Sequence, residues 1–266
     1  MKAYVINLPR SVMRRSAMEV RLKEVGLDCE FVDGVDGRQL DGDDWQRLVD
    51  QEAARRFPEW LTPGDIGCTL SHKLALELVG QGGEQALILE DDALLPDNIV
   101  ELLADYSTAI EADDVLLLNF GSFKPCRLVR TQTLSVFVAA DPGQCVSSLA
   151  YMVGPDTAVR MAELILPVRF SSDNWGDYCA RGAIDKLLVA YPSPVGHRLD
   201  VASACLRGAE TSWRDLPLVS YLRRLNRQRI AWLMHRVKIL DQPLQAVAKV
   251  TSEVAADTNS KPVGIQ

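Results

Sequence analysis

The chain has 266 residues, 47% of them hydrophobic and 24% charged, and its 29 Lys and Arg against 36 Asp and Glu leave a net charge of -7. A chain of this length buries roughly 70–75% of its unfolded surface and needs neither disulfides nor a structural metal to fold. The acidic balance and the 6% aromatic content weigh against nucleic acid as a partner, since that role calls for basic patches and stacking platforms.

Helical and strand-like patterns alternate along the first two hundred residues. Ala3–Leu8 reads as a short apolar strand stopped by Pro9, and a helix starting near Ser11 runs to Gly26, a natural C-terminal stop. Glu30–Asp33 is a second strand, and Asp43–Arg56 reads as one exposed helix. Thr62-Pro63-Gly64-Asp65 is a strong helix start, with Thr62 as N-cap, Pro63 in the first turn and Asp65 in capping-box position. In that helix Ile66, Leu70, Leu74 and Leu78 form a stripe expected to face the core. Further strands are expected at Ala86–Leu89, Val115–Asn119, Leu149–Val153 and Leu187–Tyr191, with a helix over Pro155–Leu166. Such alternation predicts an α/β fold with a largely parallel sheet flanked by helices.

The six cysteines (Cys29, Cys68, Cys126, Cys145, Cys179 and Cys205) include no C-x-x-C pair, which fits free thiols in a reducing compartment. No window approaches 18 uninterrupted apolar residues, and the apolar N-terminal run is too short for a signal sequence, so a soluble, cytoplasmic protein is expected.

The chemistry concentrates at Glu90-Asp91-Asp92, three acids at the end of the apolar run Ala86–Leu89. Three adjacent carboxylates repel one another, so a compensating positive charge is expected. If the strand continues through them, Glu90 and Asp92 face one side and can share a hard cation, Mg²⁺ or Mn²⁺, that bridges to substrate phosphates. By itself the triplet fits a solvated acidic turn as well. Asn7, Arg10 and Arg14, around a loop and helix start after the first strand, suit a diphosphate, although an ordinary surface helix has the same look. Asp65 and His72 fall within about 20° of each other on a helical wheel, opposite most of the leucine stripe. A histidine there is not explained by packing.

These segments resemble one family in order and spacing: VINLPRSVMRR, FVDGVDG, GDIGCTLSHKLA, ALILEDDALL, SSLAYMVGPDTAVRMAELI, SSDNW and YPSPVGHRLDVASAC. The set, over about residues 2–206, is similar to glycosyltransferase family 25, the lipopolysaccharide and lipooligosaccharide galactosyltransferases related to collagen galactosyltransferases. The resemblance implies a GT-A-type, Rossmann-like fold and inverting transfer from a UDP-sugar, usually UDP-galactose, with Mn²⁺ or Mg²⁺ as cofactor. The acceptor would be a glycan or lipid-linked oligosaccharide. Carried over, it assigns Glu90 and Asp92 to the metal, and Asn7, Arg10, Arg14, Asp36, Gly37, Ser71, His72 and Asp91 to the nucleotide-sugar. Gly67 and Ser203 also fall on matching positions. Asp173 becomes the first candidate for the base that deprotonates the acceptor, with Asp177 in reserve. His197 stands where the family pattern leads one to expect glutamine, and a histidine there could complete the metal shell.

After about Gly208 the character changes. Residues 221–240 carry six Arg or Lys and no acid, a basic amphipathic helical pattern that suits an anionic membrane surface at the inner face of the cytoplasmic membrane or a docked structural helix. The chain accordingly divides into a catalytic domain over 1–207, a helical basic extension over 208–250 and a flexible tail over 251–266. A catalytically inactive carbohydrate-binding or assembly protein on the same fold is the competing reading. A metal-dependent phosphotransferase or nucleotidyltransferase is disfavoured, because no Gly-rich phosphate loop of the P-loop type appears.

Overall fold

The computed structural model describes residues 1–121, 125–130 and 135–198. The chain starts with β1 (Lys2–Asn7), α1 (Val12–Val25) and β2 (Cys29–Asp33), then two short helices, α2 (Gly42–Leu48) and α3 (Gln51–Arg56), and the long α4 (Pro63–Gly82). It continues through β3 (Ala86–Glu90), β4 (Ala93–Leu94), α5 (Ile99–Ser107), β5 (Val115–Leu117), β6 (Pro125–Arg130) and β7 (Ser135–Ala139). Last come β8 (Ala150–Val153), α6 (Pro155–Ile165), α7 (Trp175–Ala180), β9 (Leu187–Tyr191) and β10 (Gly196–His197).

Eight strands form one sheet in the order β2-β1-β3-β8-β5-β9-β7-β6, while β4 and β10 pair separately. Six of the eight run in one direction; β8 and β7 run against them. The expected α/β class with a mostly parallel, helix-flanked sheet holds, and the reversal of β8 between β3 and β5 is new. An apolar run buried on both faces carries no mark of its direction.

Alternation along each strand divides the core. Tyr4, Ile6, Ala86 and Ile88 face α4, α6 and α7, whereas Ala3, Val5, Leu87 and Leu89 face α1 and α5. Each buried leucine or isoleucine contributes about 1.5–3 kcal/mol. From β1 the chain crosses one face through α1 to β2, then returns over the other face through α4 to β3 on β1's far side. The ends of β1 and β3 therefore meet at a reversal of strand order, the place where open α/β sheets hold ligands.

Helix α4 begins as expected, with Thr62 and Asp65 forming a reciprocal capping box and Pro63 in the first turn. Its buried face differs from the expected stripe. Ile66 and Leu70 are buried, but Leu74 is 38% exposed, and Ala75, Leu76 and Val79 carry the core contact in its place. The reason is that α4 packs on α6 as well as on the sheet, and a side chain added at Gly80 would fall 2.6 Å from Val159 Cγ2. The expected helix over 43–56 is interrupted at Val49. That residue is buried in a bridge to Val168, and Asp50 caps a new helix.

Among the described residues no helix is long and apolar enough to cross a membrane. The expected domain limits at 207 and 250, the basic segment 221–240, the tail 251–266 and Ser203 lie outside the described residues.

Candidate functional site

A cleft of about 560 Å³, open solvent included, lies at the ends of β1 and β3. Arg10, Arg14, Asp36 and Gly37 line it together with Ser71 and the three acids Glu90, Asp91 and Asp92. Strand β3 ends at Glu90, so Asp91 and Asp92 lie in the turn toward β4 rather than in an extended strand. Asp91 and Asp92 share Arg14, whose Nη1 is 2.9 Å from Asp91 Oδ1 and 3.0 Å from Asp92 Oδ2. Arg14 thus supplies one positive charge to two of the three acids.

Asn7 supports this arrangement from below. Its Nδ2 donates to Asp91 Oδ2 at 2.6 Å and to Ser11 O at 3.3 Å, and the side chain is buried, which ties the end of β1 to the acidic turn. Burial pushes the Asp91 carboxyl up to about 6 against the pull of Arg14 and Asn7. Burial also raises Asp92, helped by neighbouring Glu90 and opposed by His197 and Arg14. Asp92 Oδ1 is buried with no hydrogen-bond partner, and so is Asn7 Oδ1.

The opposite wall rests on a close contact between backbones. Asp36 pairs with Arg10 and accepts from Arg38 N at 3.3 Å, holding the 3-10 turn Gly37–Gln39. A Cβ at Gly37 would strike Pro63 O and come within 2.8 Å of Gly67 N; one at Gly67 would fall 2.5 Å from Gly37 N. The two glycines let the turn sit on the first turns of α4, which gives Gly37 a packing role besides its place in the cleft wall. Ser71 is committed too: its Oγ donates to Gly67 O at 2.6 Å and accepts from Val35 N at 2.8 Å.

His72 does not face away from the core. It is 1% exposed, stacks on Tyr151, and its Nδ1 lies 3.0 Å from Tyr151 Oη. The helical-wheel reading failed because α4 is packed on two sides. His72 Nε2 points to Glu90, 3.5 Å from Oε1, and forms no hydrogen bond. Glu90 accepts from Ser148 Oγ at 3.0 Å. Burial raises its carboxyl, but the His72 imidazole, the Ser148 hydroxyl and His197 outweigh this and hold it below the usual range.

The sequence pattern of "Glycosyltransferase family 25 (LPS biosynthesis protein)" matches residues 1–140, from β1 through β7. The chain belongs to glycosyltransferase family 25. A "Glycosyltransferase 25 family member" from Aedes aegypti is 40% identical over 94 residues, 34% of this chain and 16% of the relative. A "Probable inactive glycosyltransferase 25 family member 3" from Rattus norvegicus is 31% identical over 159 residues, 56% of this chain and 27% of the relative. The chain thus spans about a quarter or less of the length of these curated relatives. Among solved structures, an apo UDP-glucose pyrophosphorylase covers 71% of this chain and 90% of its own at 13% identity and a TM-score of 0.37, too slight a likeness to bear on the chemistry.

Among the described residues, three of those singled out for this family 25 chain lie beyond the matched segment. His197 reaches the cleft through the pairing of β10 with β4, with Nε2 3.6 Å from Asp92 Oδ2. Asp173 accepts from Ser171 Oγ at 2.7 Å and from Ser147 N at 3.3 Å. One residue along, Ser148 and Ser172 lie 3.1 Å apart, so the Asp173 loop connects to Glu90 through hydroxyls. Asp177 is held within α7 by Asn174 Nδ2 at 2.7 Å and Arg181 Nε at 3.3 Å. Sequence reasoning missed Cys68, Tyr151, Ser148 and Ser172. The signal for Cys68 was present, because it stands one helical turn before His72 on the same face.

Proposed function

We propose that this chain transfers a hexose, galactose first among the candidates, from a UDP-sugar to a hydroxyl of a glycan acceptor with inversion. The acceptor oxygen bonds to the anomeric carbon, the bond to the β-phosphate oxygen breaks, and UDP leaves. One observation carries the reading: two arginines and a buried acidic pair converge in a cleft at the reversal of strand order. Arg10 is 43% exposed at its side chain and can exchange Asp36 for a phosphate oxygen, while Arg14 holds the acidic turn in place.

The donor set fits a hard divalent cation, Mn²⁺ or Mg²⁺, at Asp92, whose Oδ1 lacks a partner and beside which His197 stands. When bound, that ion supplies charge neutralisation on the leaving diphosphate. Asp173 takes the proton from the acceptor hydroxyl; its carboxylate is part-exposed and oriented by Ser171 and the Ser147 amide. A lipid-linked oligosaccharide, as in lipopolysaccharide assembly at the cytoplasmic side of a membrane, is the acceptor this reading favours. The family's description as an LPS biosynthesis protein supports it.

An inactive family member is the second reading. It is favoured by the name of the rat relative and by Arg14, which bridges Asp91 and Asp92 without an ion. Mass-spectrometric measurement of UDP release over UDP-Gal, UDP-Glc and their N-acetyl forms separates the two. The transferase reading expects one donor to be hydrolysed without acceptor and the reaction to stop with EDTA. UDP that binds while every donor stays intact, with and without glycan acceptors, would favour the inactive member.

A further inference from the structure

Behind the cleft wall three side chains from two elements come together: Cys68 and His72 from α4, and Glu90 from the end of β3. The Sγ, one imidazole nitrogen and one carboxylate oxygen all lie within 4.8 Å of one another. We propose that Cys68, His72 and Glu90 form a transition-metal site, distinct from Asp92, that takes Zn²⁺ or a similar borderline-soft cation with its fourth position open to the cleft.

His72 provides the first support. Its ring is buried and its Nε2 faces Glu90 Oε1 at 3.5 Å without a hydrogen bond, a contact too long for a good hydrogen bond and open to a shared ion. In the tautomer that donates Nδ1–H to Tyr151 Oη, the one a metal ion would select over a proton shared with Glu90, Nε2 presents its lone pair to the space between the three residues. Each donor is, moreover, oriented by a hydroxyl from behind. Tyr151 holds His72 at 3.0 Å, Ser148 holds Glu90 at 3.0 Å, and Ser172 lies 3.4 Å from Cys68 Sγ. Ser148 and Ser172 are joined to each other. Such outer partners are what fixes the direction of metal ligands.

The donor chemistry sets the kind of ion. One thiolate, one imidazole and one carboxylate suit Zn²⁺ or Co²⁺ far better than Mg²⁺. Tetrahedral zinc places such atoms roughly 3.3–3.7 Å apart, so a side-chain rotation that draws the group in by about 1 Å closes the set. Cys68 and Glu90 both line the cleft, which leaves the remaining position on that side. Three protein ligands with one open position is the arrangement of a site that also holds a small ligand or water.

The test needs neither donor nor turnover, so its failure leaves the proposed function standing, and the reverse. The full chain is stripped with chelator and titrated with Co²⁺ alone, following the thiolate-to-cobalt charge-transfer band and the d–d bands of tetrahedral cobalt. Zn²⁺ is then added to displace it. The wild type should take up one equivalent with a charge-transfer band that Zn²⁺ removes. Cys68→Ser should lose the band, His72→Gln should weaken binding at least tenfold, and Tyr151→Phe should keep the band while weakening binding by roughly 10–100-fold. Asp92→Asn should leave the band as it is. The proposal is overturned if the wild type binds no more cobalt than Cys68→Ser, or if the band survives both Cys68→Ser and His72→Gln. Cys68 is only part-buried and serine matches its shape, so Cys68→Ser remains folded and readable even if His72→Gln does not.

Discussion

Arg14→Met removes the only positive charge within ion-pair distance of Asp91 among the described residues and leaves a side chain of similar length in place. Breaking a buried ion pair by deleting one partner costs about 3–5 kcal/mol. The lower end applies here, because the cleft admits water and Asp91, already raised to about 6, can give up its charge. A loss of about 3 kcal/mol in a domain of 150–250 residues lowers Tm by roughly 6–12 °C. The pH dependence carries the sign of the argument. Arg14 pulls both carboxyls down, so its removal lifts their folded values further above the unfolded value near 3.9. A carboxyl raised on folding contributes stability that is whole below its unfolded value and lost as pH rises through the folded one. The gap between wild type and variant should therefore be widest above about pH 7 and close toward pH 4–5. Differential scanning fluorimetry across that range measures it. Equal Tm at pH 7.5, or a gap that does not change with pH, would refute the ion-bridge account.

Gly37→Ala puts a methyl group against Pro63 O and Gly67 N, backbone atoms that cannot swing aside. Overpacking of that kind should destabilise by about 1–3 kcal/mol and shift urea unfolding to lower midpoint. Cys145 is buried, and its thiol is pushed up to about 12 by burial and by Asp141, so iodoacetamide at pH 8 should modify it only after urea opens the fold. Peptide mass mapping reads that order, with part-exposed Cys29 labelled before Cys145. Asp173→Asn should lower kcat by on the order of 10²–10⁴ with UDP-sugar affinity nearly unchanged, since a base acts on the acceptor. Wild-type turnover in that variant would make Asp173 a structural residue.

The parts of this fold that the sequence made legible are those decided locally. Gly26 ends α1 in the left-handed conformation, with φ of 69°, as its position suggested. Thr62 and Asp65 form the capping box their spacing announces. What remained hidden depends on contacts distant along the chain. The break at Val49 comes from its bridge to Val168, which no window of sequence around residues 43–56 contains. The hairpin of β6 and β7 went unread, as did the reversed direction of β8. In the site, the Glu90-Asp91-Asp92 triplet stood out by charge alone. Its partners Asn7 and Arg14 lie about eighty residues away; the resemblance put them in one site with it, but their direct pairing with the acids follows only from the order of strands. His72 was placed on the wrong face because Tyr151, its neighbour in space, is 79 residues along the chain.

Calorimetric titration of UDP into the full chain, with Mn²⁺ and then with EDTA, tests most directly that the β1–β3 cleft binds a nucleoside diphosphate through a cation at Asp92. The wild type should bind UDP with Mn²⁺ and lose at least tenfold in affinity with EDTA, and Asp92→Ala should bind equally weakly in both. UDP binding that is as tight in EDTA as in Mn²⁺, or that Asp92→Ala leaves intact, would contradict the account.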